Sequence, residues 1–156
     1  MTATYRANTD LVIQAWLATL PGINAGMVGR TLPEAVDTNA TFQTSGFVTA
    51  LAVGGAPDIY VPERQPVMQI DCWAGALGGA SRRPQWNVAN ELAETVTNAV
   101  YSTSAFNQVL TLKPGYPTAR VQQAHLLQEP RPVYGDPRYF ARFHMDVQFY
   151  WIELTS

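Results

Sequence analysis

Three segments of the chain alternate between apolar and polar residues at the two-residue period of a β-strand. They are Phe47–Val53, Val67–Ala74 and Tyr139–Ile152. In the second segment the apolar side consists of Met68, Ile70 and Cys72. In the third, one side carries Phe143, Met145, Val147 and Phe149, whereas the other carries Arg142, His144, Asp146 and Gln148. We therefore expect a sheet with one buried face and one face of mixed polarity.

Two further segments place apolar residues on one helical face, at spacings of three and four residues. Asp10–Leu20 carries Ile13, Trp16, Leu17 and Leu20 on such a face. Asn8 or Thr9 is the expected N-cap of this helix, since both side chains accept hydrogen bonds from free N–H groups. Pro84–Val100 has the longer stripe, which comprises Trp86, Ala89, Ala93, Val96 and Val100. Both segments are predicted to be amphipathic helices.

The rest of the chain has weaker patterns. Short strands are predicted at Met27–Leu32, Ile59–Val61 and Val109–Leu112, and an edge strand or crossing at Ala119–Gln128, where Pro130 and Pro132 limit pairing. Pro33–Gly46 is polar and without a period, so we expect a long exposed loop there. Together the elements predict an α+β fold in which a mostly antiparallel sheet of five or six strands packs against two helices. The 156 residues are expected to form a single domain.

The composition narrows the possible functions. Charged residues make up 14% of the chain, against an average of about 25%, and the net charge is −2. An apolar fraction of 47% argues against disorder, and the balance of charges argues against a nucleic-acid or membrane surface based on basic residues. A monomer surface usually carries more charge, so the shortage suggests that other protein covers much of this chain.

The cysteine count and the start of the chain bear on disulfide formation and on the cellular compartment of the protein. A single cysteine, Cys72, excludes an internal disulfide framework and a multi-cysteine zinc site. No apolar stretch follows a basic head at the start, so neither a signal peptide nor a membrane span is predicted. We expect the protein to be made in a cytosol.

Candidate chemistry is sparse, and each candidate has a simpler structural explanation. His144 and Asp146 lie two residues apart, as metal ligands or an acid–base pair would, but a zinc site needs three or four ligands. Asp71 and Cys72 are adjacent on a strand, so their side chains point to opposite faces and cannot cooperate.

Other residues are assigned to structure as well. His125 is taken as a structural histidine, Glu91 and Glu94 as the outer face of a helix, and the glycine-rich segment 75–79 as a turn, since it lacks the spacing and lysine of a phosphate loop. The sequence therefore favours a protein that is not an enzyme and has no cofactor or bound metal. The residues predicted to contact another subunit or a partner are Arg142, His144, Asp146, Gln148, Arg82, Arg83, Glu63 and Arg64.

The order of elements and several local motifs resemble a known family. A strand runs through Gln69-Ile70-Asp71-Cys72-Trp73-Ala74 and is followed at once by a helix with Ala89-Asn90-Glu91-Leu92-Ala93. Leu32-Pro33 and Gly54-Gly55 end earlier strands, and Arg131-Pro132 and Asp136-Pro137-Arg138-Tyr139 precede a long final strand. From Asp10 to Ile152 the chain resembles the tail terminator, or tail-completion, proteins of long-tailed, non-contractile bacteriophages.

The resemblance implies a structural role in a virion. Proteins of this family form a six-subunit ring on the head-proximal end of the tail tube, which stops tube growth and offers a surface for head joining. The implied partners are further copies of the chain, the tail tube protein and a head-completion or connector protein. DNA passes through the ring without sequence-specific binding. Alternatives are another neck component such as a head-completion protein, a tail tube subunit or, from another class, a small hydrolase or ligand-binding module.

Overall fold

The computed structural model describes residues 5–33, 40–55, 62–77 and 82–154. The three α-helices of these residues are α1 (Thr9–Leu17), α2 (Ala40–Ser45) and α3 (Trp86–Val100), and 3₁₀ turns lie at Ala25–Met27 and Thr103–Ala105. The strands are β1 (Val28–Gly29), β2 (Phe47–Gly54), β3 (Glu63–Arg64), β4 (Val67–Ala74), β5 (Ala76–Leu77), β6 (Arg83–Pro84), β7 (Ala119–Pro132) and β8 (Ala141–Glu153). The predicted α+β class is confirmed.

The main sheet has six strands, and β8 is at its centre. In the order β1-β2-β4-β8, β1 pairs with β2 in parallel and the other pairs are antiparallel. β3 pairs with β8 in the same register as β4, so that β3 and β4 follow one edge of β8. β7 occupies the other edge. A separate two-stranded hairpin joins β5 and β6.

Both long helices cover the same face of this sheet. Asn8, one of the two N-caps that the sequence allows, caps α1 by accepting a hydrogen bond from the backbone N–H of Leu11 (3.0 Å). The predicted apolar stripe of α1 is fully packed, and Trp16 contacts Phe149 edge-on with ring centroids 5.1 Å apart. The core between helices and sheet also contains Met68, Ile70 and Cys72 of β4, again as predicted. We call the opposite side, turned away from α1 and α3, the outer face.

The predicted loop Pro33–Gly46 is wrong in its second half, because α2 occupies Ala40–Ser45. Phe42 is completely buried there and packs edge-on against Phe140, with ring centroids 4.9 Å apart. The Gln85 amide also donates to the carbonyl of Gln43 at 3.1 Å, so an aromatic contact and a hydrogen bond both hold a segment that looks polar in sequence. Gly46 then connects α2 to β2 with a φ of 78°, and a Cβ at this position would lie 2.5 Å from the carbonyl oxygen of Trp73.

Other differences are smaller. The strand predicted at Met27–Leu32 is reduced to β1, and the one at Val109–Leu112 to an isolated bridge between Leu110 and Ala119. The predicted piece Ile59–Val61 lies outside the described residues. β8 begins at Ala141 instead of Tyr139, because Tyr139 has a φ of 62° and is exposed. Within the described ranges, no helix has both the length and the apolar content that a membrane crossing requires.

Candidate functional site

The outer face brings the predicted polar residues of β8 against partners on β4. In the antiparallel register Arg142 lies opposite Trp73, His144 opposite Asp71 and Asp146 opposite Gln69. Directly opposed side chains on one face of a sheet lie about 4.5–5.5 Å apart at Cβ and interact. The register therefore forms a ladder of polar contacts along the centre of the outer face.

Asp71 is the hub of this ladder. Its Oδ1 accepts hydrogen bonds from Arg142 Nε (3.0 Å) and is 2.8 Å from His144 Nδ1. Its Oδ2 accepts from Gln69 Nε2 at 3.1 Å. The Asp71 side chain is 7% exposed and that of His144 10%. Two cationic or polar partners on β8 and one on β4 thus satisfy a carboxylate that the sheet buries.

His144 stands between two carboxylates. Its Nδ1 faces Asp71, and its Nε2 lies 3.3 Å from Asp146 Oδ1. A carboxylate oxygen only accepts hydrogen bonds, so both contacts are hydrogen bonds together only when each ring nitrogen carries a proton. In that form the ladder alternates in charge from Arg142 through Asp71 and His144 to Asp146.

The ladder continues onto β7. Gln128 lies opposite Asp146, and Arg131 lies opposite His144. With its amide oriented to suit both neighbours, Gln128 donates to Asp146 Oδ2 and accepts from Arg131 Nε, each at 2.9 Å. Side chains of three adjacent strands are therefore linked on the outer face.

Aromatic residues cover one end of the ladder. The Arg142 guanidinium lies over the Trp73 ring, 4.9 Å from its centroid, within the range of a cation–π contact. The indole N–H of Trp73 donates to Thr49 Oγ1 at 3.0 Å. Arg138, from the turn before β8, lies over the Phe140 ring at 4.5 Å. Arg142 is therefore held at its Nε by Asp71 and on its planar face by Trp73.

The remaining predicted interface residues lie elsewhere. Glu63 lies on β3 and accepts from Gln65 Nε2 at 3.3 Å. Arg64 points to the helix side, where its guanidinium lies 4.8 Å over the Trp151 ring and donates to the carbonyl of Ala7. Arg83 is exposed on β6, and exposed Arg82 precedes it. Arg64 therefore stabilises the packing of the N-terminal segment within its own chain.

Cys72 does not join the outer face, as its alternation with Asp71 predicts. It lies in the core opposite Val48 of β2 and Phe143 of β8. Burial, and secondarily the negative charge of Asp71, raises the pKa of the Cys72 thiol. The thiol is thus protonated and inaccessible at neutral pH. In the part of the chain that the structure describes, no group of three or more His, Cys, Asp or Glu side chains is placed to hold a metal ion.

The sequence prediction missed the hub and the β7 arm of the ladder. Asp71 was recognised on the polar side of its strand, but only the register between β4 and β8 shows that it meets His144. Gln128 and Arg131 lie opposite Asp146 and His144 because the register of β7 shifts three times, after Val121, Leu126 and Gln128. A bulge changes which residues share a face, and the alternation in the sequence does not reveal its position.

No protein-family model matches the sequence, and no curated protein is significantly similar to it. Among solved structures, the chain is similar to a chain of the "Virion of native gene transfer agent (GTA) particle". The two are 16% identical, and the alignment covers 92% of this chain and 86% of the other with a TM-score of 0.46. A likeness at this level carries no argument about function.

Proposed function

We propose that this protein is a structural component of a phage virion that forms a ring on the head-proximal end of the tail tube. The ring ends tube polymerisation and provides the head-joining surface. The observation that carries the proposal is the outer face. The strand Asp71-Cys72-Trp73-Ala74, on which the family resemblance chiefly rests, supplies two residues to buried apolar clusters and two to the ladder. The motif thus builds a surface instead of a reaction centre.

The outer face has the properties of a surface made for protein contact. Its central side chains are already oriented by contacts within the chain, and Arg142, paired with Asp71, has only 28% of its side chain exposed. Side chains held in place before binding lose little conformational freedom on association. Matched charges contribute to fit and specificity more than to raw affinity. A second protein that covers this face therefore meets polar side chains whose positions are already fixed within the chain.

The proposed assembly is a closed ring of six copies, about 103 kDa as six times 17.2 kDa. Its further partners are the tail tube protein below and a head-completion or connector protein above. DNA passes through the channel without sequence-specific contacts, and no cofactor takes part. A tube subunit would polymerise into filaments, and a head-completion protein would stay with the head. The location of the protein in the particle and its effect on tube growth therefore distinguish the three roles.

A hydrolase is the alternative from another class, because Asp71, His144 and Asp146 do meet. In a catalytic triad one histidine nitrogen faces the carboxylate and the other faces the nucleophile. Here the second nitrogen of His144 faces Asp146 at 3.3 Å, which is another carboxylate. The three residues also lie on the outer face of the sheet. The arrangement favours a structural ladder over a catalytic one.

Electron microscopy of purified tail tubes mixed with the protein tests the proposal. We expect a ring with six-fold symmetry at one end of each tube, and tubes that no longer grow when more tube subunit is added. Immunogold labelling of intact particles should place the protein between head and tail. A ring of another order, or the absence of the protein from the tail top, would contradict the proposal.

A further inference from the structure

A groove opens on the helix side of the molecule between α3 and β7. Its volume is about 250 Å³. One wall is a stripe at helical spacing along α3 and its C-cap, namely Asn90, Ala93, Glu94, Thr97, Asn98 and Tyr101. The other wall and the floor are Leu126, Glu129, Pro130 and Phe143. The groove has a mostly apolar floor and an acidic rim.

The irregularity of β7 explains why the groove is open. The register of β7 against β8 shifts between Leu126 and Gln128 and again between Gln128 and Arg131. Each extra residue bends the bulged strand and increases its twist. Glu129 and Pro130 fall within the second shift, at the groove wall. The bulged part of the edge strand thus forms a cleft beside α3.

The rim is suited to a guanidinium group. Glu94 and Glu129 are exposed, and neither has an ion pair within the described part of the chain; Glu94 accepts only from the Asn90 amide, at 3.1 Å. By contrast Asp10, Asp71, Asp136 and Glu153 each pair with an arginine. Tyr101 ends the groove and is 74% exposed. Carboxylates bind arginine in planar, charge-assisted geometry, and an aromatic ring stacks on it.

The chain itself presents such a group elsewhere. Arg83 is exposed on the β5–β6 hairpin, opposite Leu77. It forms no ion pair with Glu94 of its own chain, which lies more than two helical turns into α3. A closed ring needs two different patches on each subunit, because each head-to-tail contact joins one patch to the other. The hairpin and the groove are two such patches of opposite charge.

We propose that the α3–β7 groove of one copy receives Arg83 from the β5–β6 hairpin of a second copy. The inference rests on the proposed ring and names its head-to-tail contact. Glu94 and Glu129 bind the guanidinium, Tyr101 packs against it, and the apolar floor accepts the aliphatic part of the side chain. The occupant is a second copy of this chain because the proposed head-to-tail ring needs two complementary patches on each subunit, and the exposed Arg83 is complementary in charge to the groove.

Charge reversal in two separate chains tests this contact. One variant carries Arg83→Glu, and the other carries both Glu94→Arg and Glu129→Arg. Each alone should associate at least about tenfold more weakly than the unaltered chain in sedimentation experiments, since close charge pairs at interfaces contribute more than 1.4 kcal/mol. Each alone should also fail to cap tubes. A one-to-one mixture should recover both activities, because an alternating ring of six pairs every hairpin with a groove of opposite charge.

Matched controls exclude a general effect of charge. Lys113→Glu replaces an exposed cation away from the hairpin, and Glu91→Arg replaces an exposed acid of α3 that does not line the groove. Both should assemble normally, and circular dichroism should show that every variant is folded. Normal assembly of either reversed variant alone, or no recovery in the mixture of two folded variants, would overturn the inference.

The outcomes also separate this inference from the proposed function. If the unaltered chain caps tubes and both reversed variants cap them too, the contact is wrong and the function stands. If the chain self-associates through this contact but is absent from tail tops, the contact stands and the function is wrong. If the unaltered chain forms no oligomer, alone or on tubes, both are wrong.

Discussion

Asp71 and His144 face each other across β4 and β8, and their Oδ1 and Nδ1 atoms lie 2.8 Å apart. The same Asp71 oxygen accepts from Arg142 Nε at 3.0 Å. One carboxylate oxygen thus contacts two side chains of the central strand. Asp71 and His144 are both buried on the outer face. The contacts of Asp71 with His144 and Arg142 should therefore account for much of what this face contributes to the free energy of unfolding.

Asp71→Asn should lower the free energy of unfolding by about 2–4 kcal/mol. The amide oxygen can still occupy the Oδ1 position, but the buried negative charge that Arg142 pairs with is lost. The amide N–H₂ also replaces the Oδ2 acceptor of Gln69 Nε2, so two donors face each other there. Urea denaturation followed by tryptophan fluorescence measures the change.

Asp146→Asn is the matched control on the same ladder. Its side chain is 30% exposed, so water replaces part of what the substitution removes, and we expect a loss of at most about 1 kcal/mol. Equal losses for the two variants would mean that Asp71 is not the hub.

The elements that were predicted correctly are those whose pattern of apolar, polar and capping residues lies within the element itself. The alternation of Met68, Ile70 and Cys72 fixes both the bounds of β4 and its buried face. The stripe of α3 and the N-cap at Asn8 are likewise local signals. α2 was missed because its order depends on Phe42 packing against Phe140, nearly one hundred residues away in sequence. A contact of this kind produces no periodic pattern of apolar residues in the sequence.

The site was predicted only in part, because some of its contacts follow from one strand and others depend on how the strands pair. Arg142, His144 and Asp146 were placed on one face because β8 alternates without interruption. Their partners come from the registers of β4 and β7, and the three shifts of β7 cannot be inferred from side-chain alternation. The groove between α3 and β7 also depends on those shifts, so Glu129 gave no signal in the sequence.

Cys72 should be unreactive in the folded protein. It is fully buried, and burial together with Asp71 raises the pKa of its thiol, so the nucleophilic thiolate is scarce at neutral pH. Thiol reagents should label it only after unfolding, which absorbance with Ellman's reagent measures with and without urea. Cys72→Ala should cost about 1–2 kcal/mol through lost packing and leave assembly intact. Rapid labelling of the native protein, or loss of assembly with the fold preserved, would contradict this assignment.

The turn before β8 should weaken in acid. Hydrogen bonds from the Arg138 side chain, and secondarily from its backbone N–H, lower the pKa of the Asp136 carboxyl. Because the folded pKa lies below the unfolded value of about 3.9, the carboxylate contributes stability above that value. The contribution is lost as the pH falls through the folded pKa.

NMR titration of the Asp136 carboxyl carbon measures this shift. The midpoint should lie below that of an unfolded reference peptide. Arg138→Gln should move it back toward the ordinary value, because the largest cause of the shift is removed. A midpoint at or above the reference in the unaltered protein would contradict the assignment.

The outer face should be essential for capping tubes even where it is not essential for folding. Reversal of Arg142 is unsuited to show this, because a glutamate there would face the buried Asp71 carboxylate. Gln148 lies on the same face outside the ladder, opposite Val67 and His125. Gln148→Arg adds bulk and charge to the face and leaves the contacts of Asp71 unchanged. Gln108→Arg makes the same change at an exposed position on the helix side. Gln148→Arg removes a long hydrogen bond from Gln148 Nε2 to the Gln65 carbonyl (3.4 Å), and Gln108→Arg removes one from Gln108 Nε2 to the Ser104 carbonyl (3.1 Å). Each variant should therefore stay folded and lose no more than about 1 kcal/mol.

Only Gln148→Arg should impair assembly, because it alone places an unmatched charge where a partner is expected to cover the sheet. Electron micrographs of infected cells complemented with this variant should show overlong tails that are not joined to heads. The Gln108→Arg control should give tails of normal length. Normal tails and normal infectivity with Gln148→Arg would show that the outer face is merely solvated. The contacts of the ring would then have to be sought on the β5–β6 hairpin and the α3–β7 groove alone.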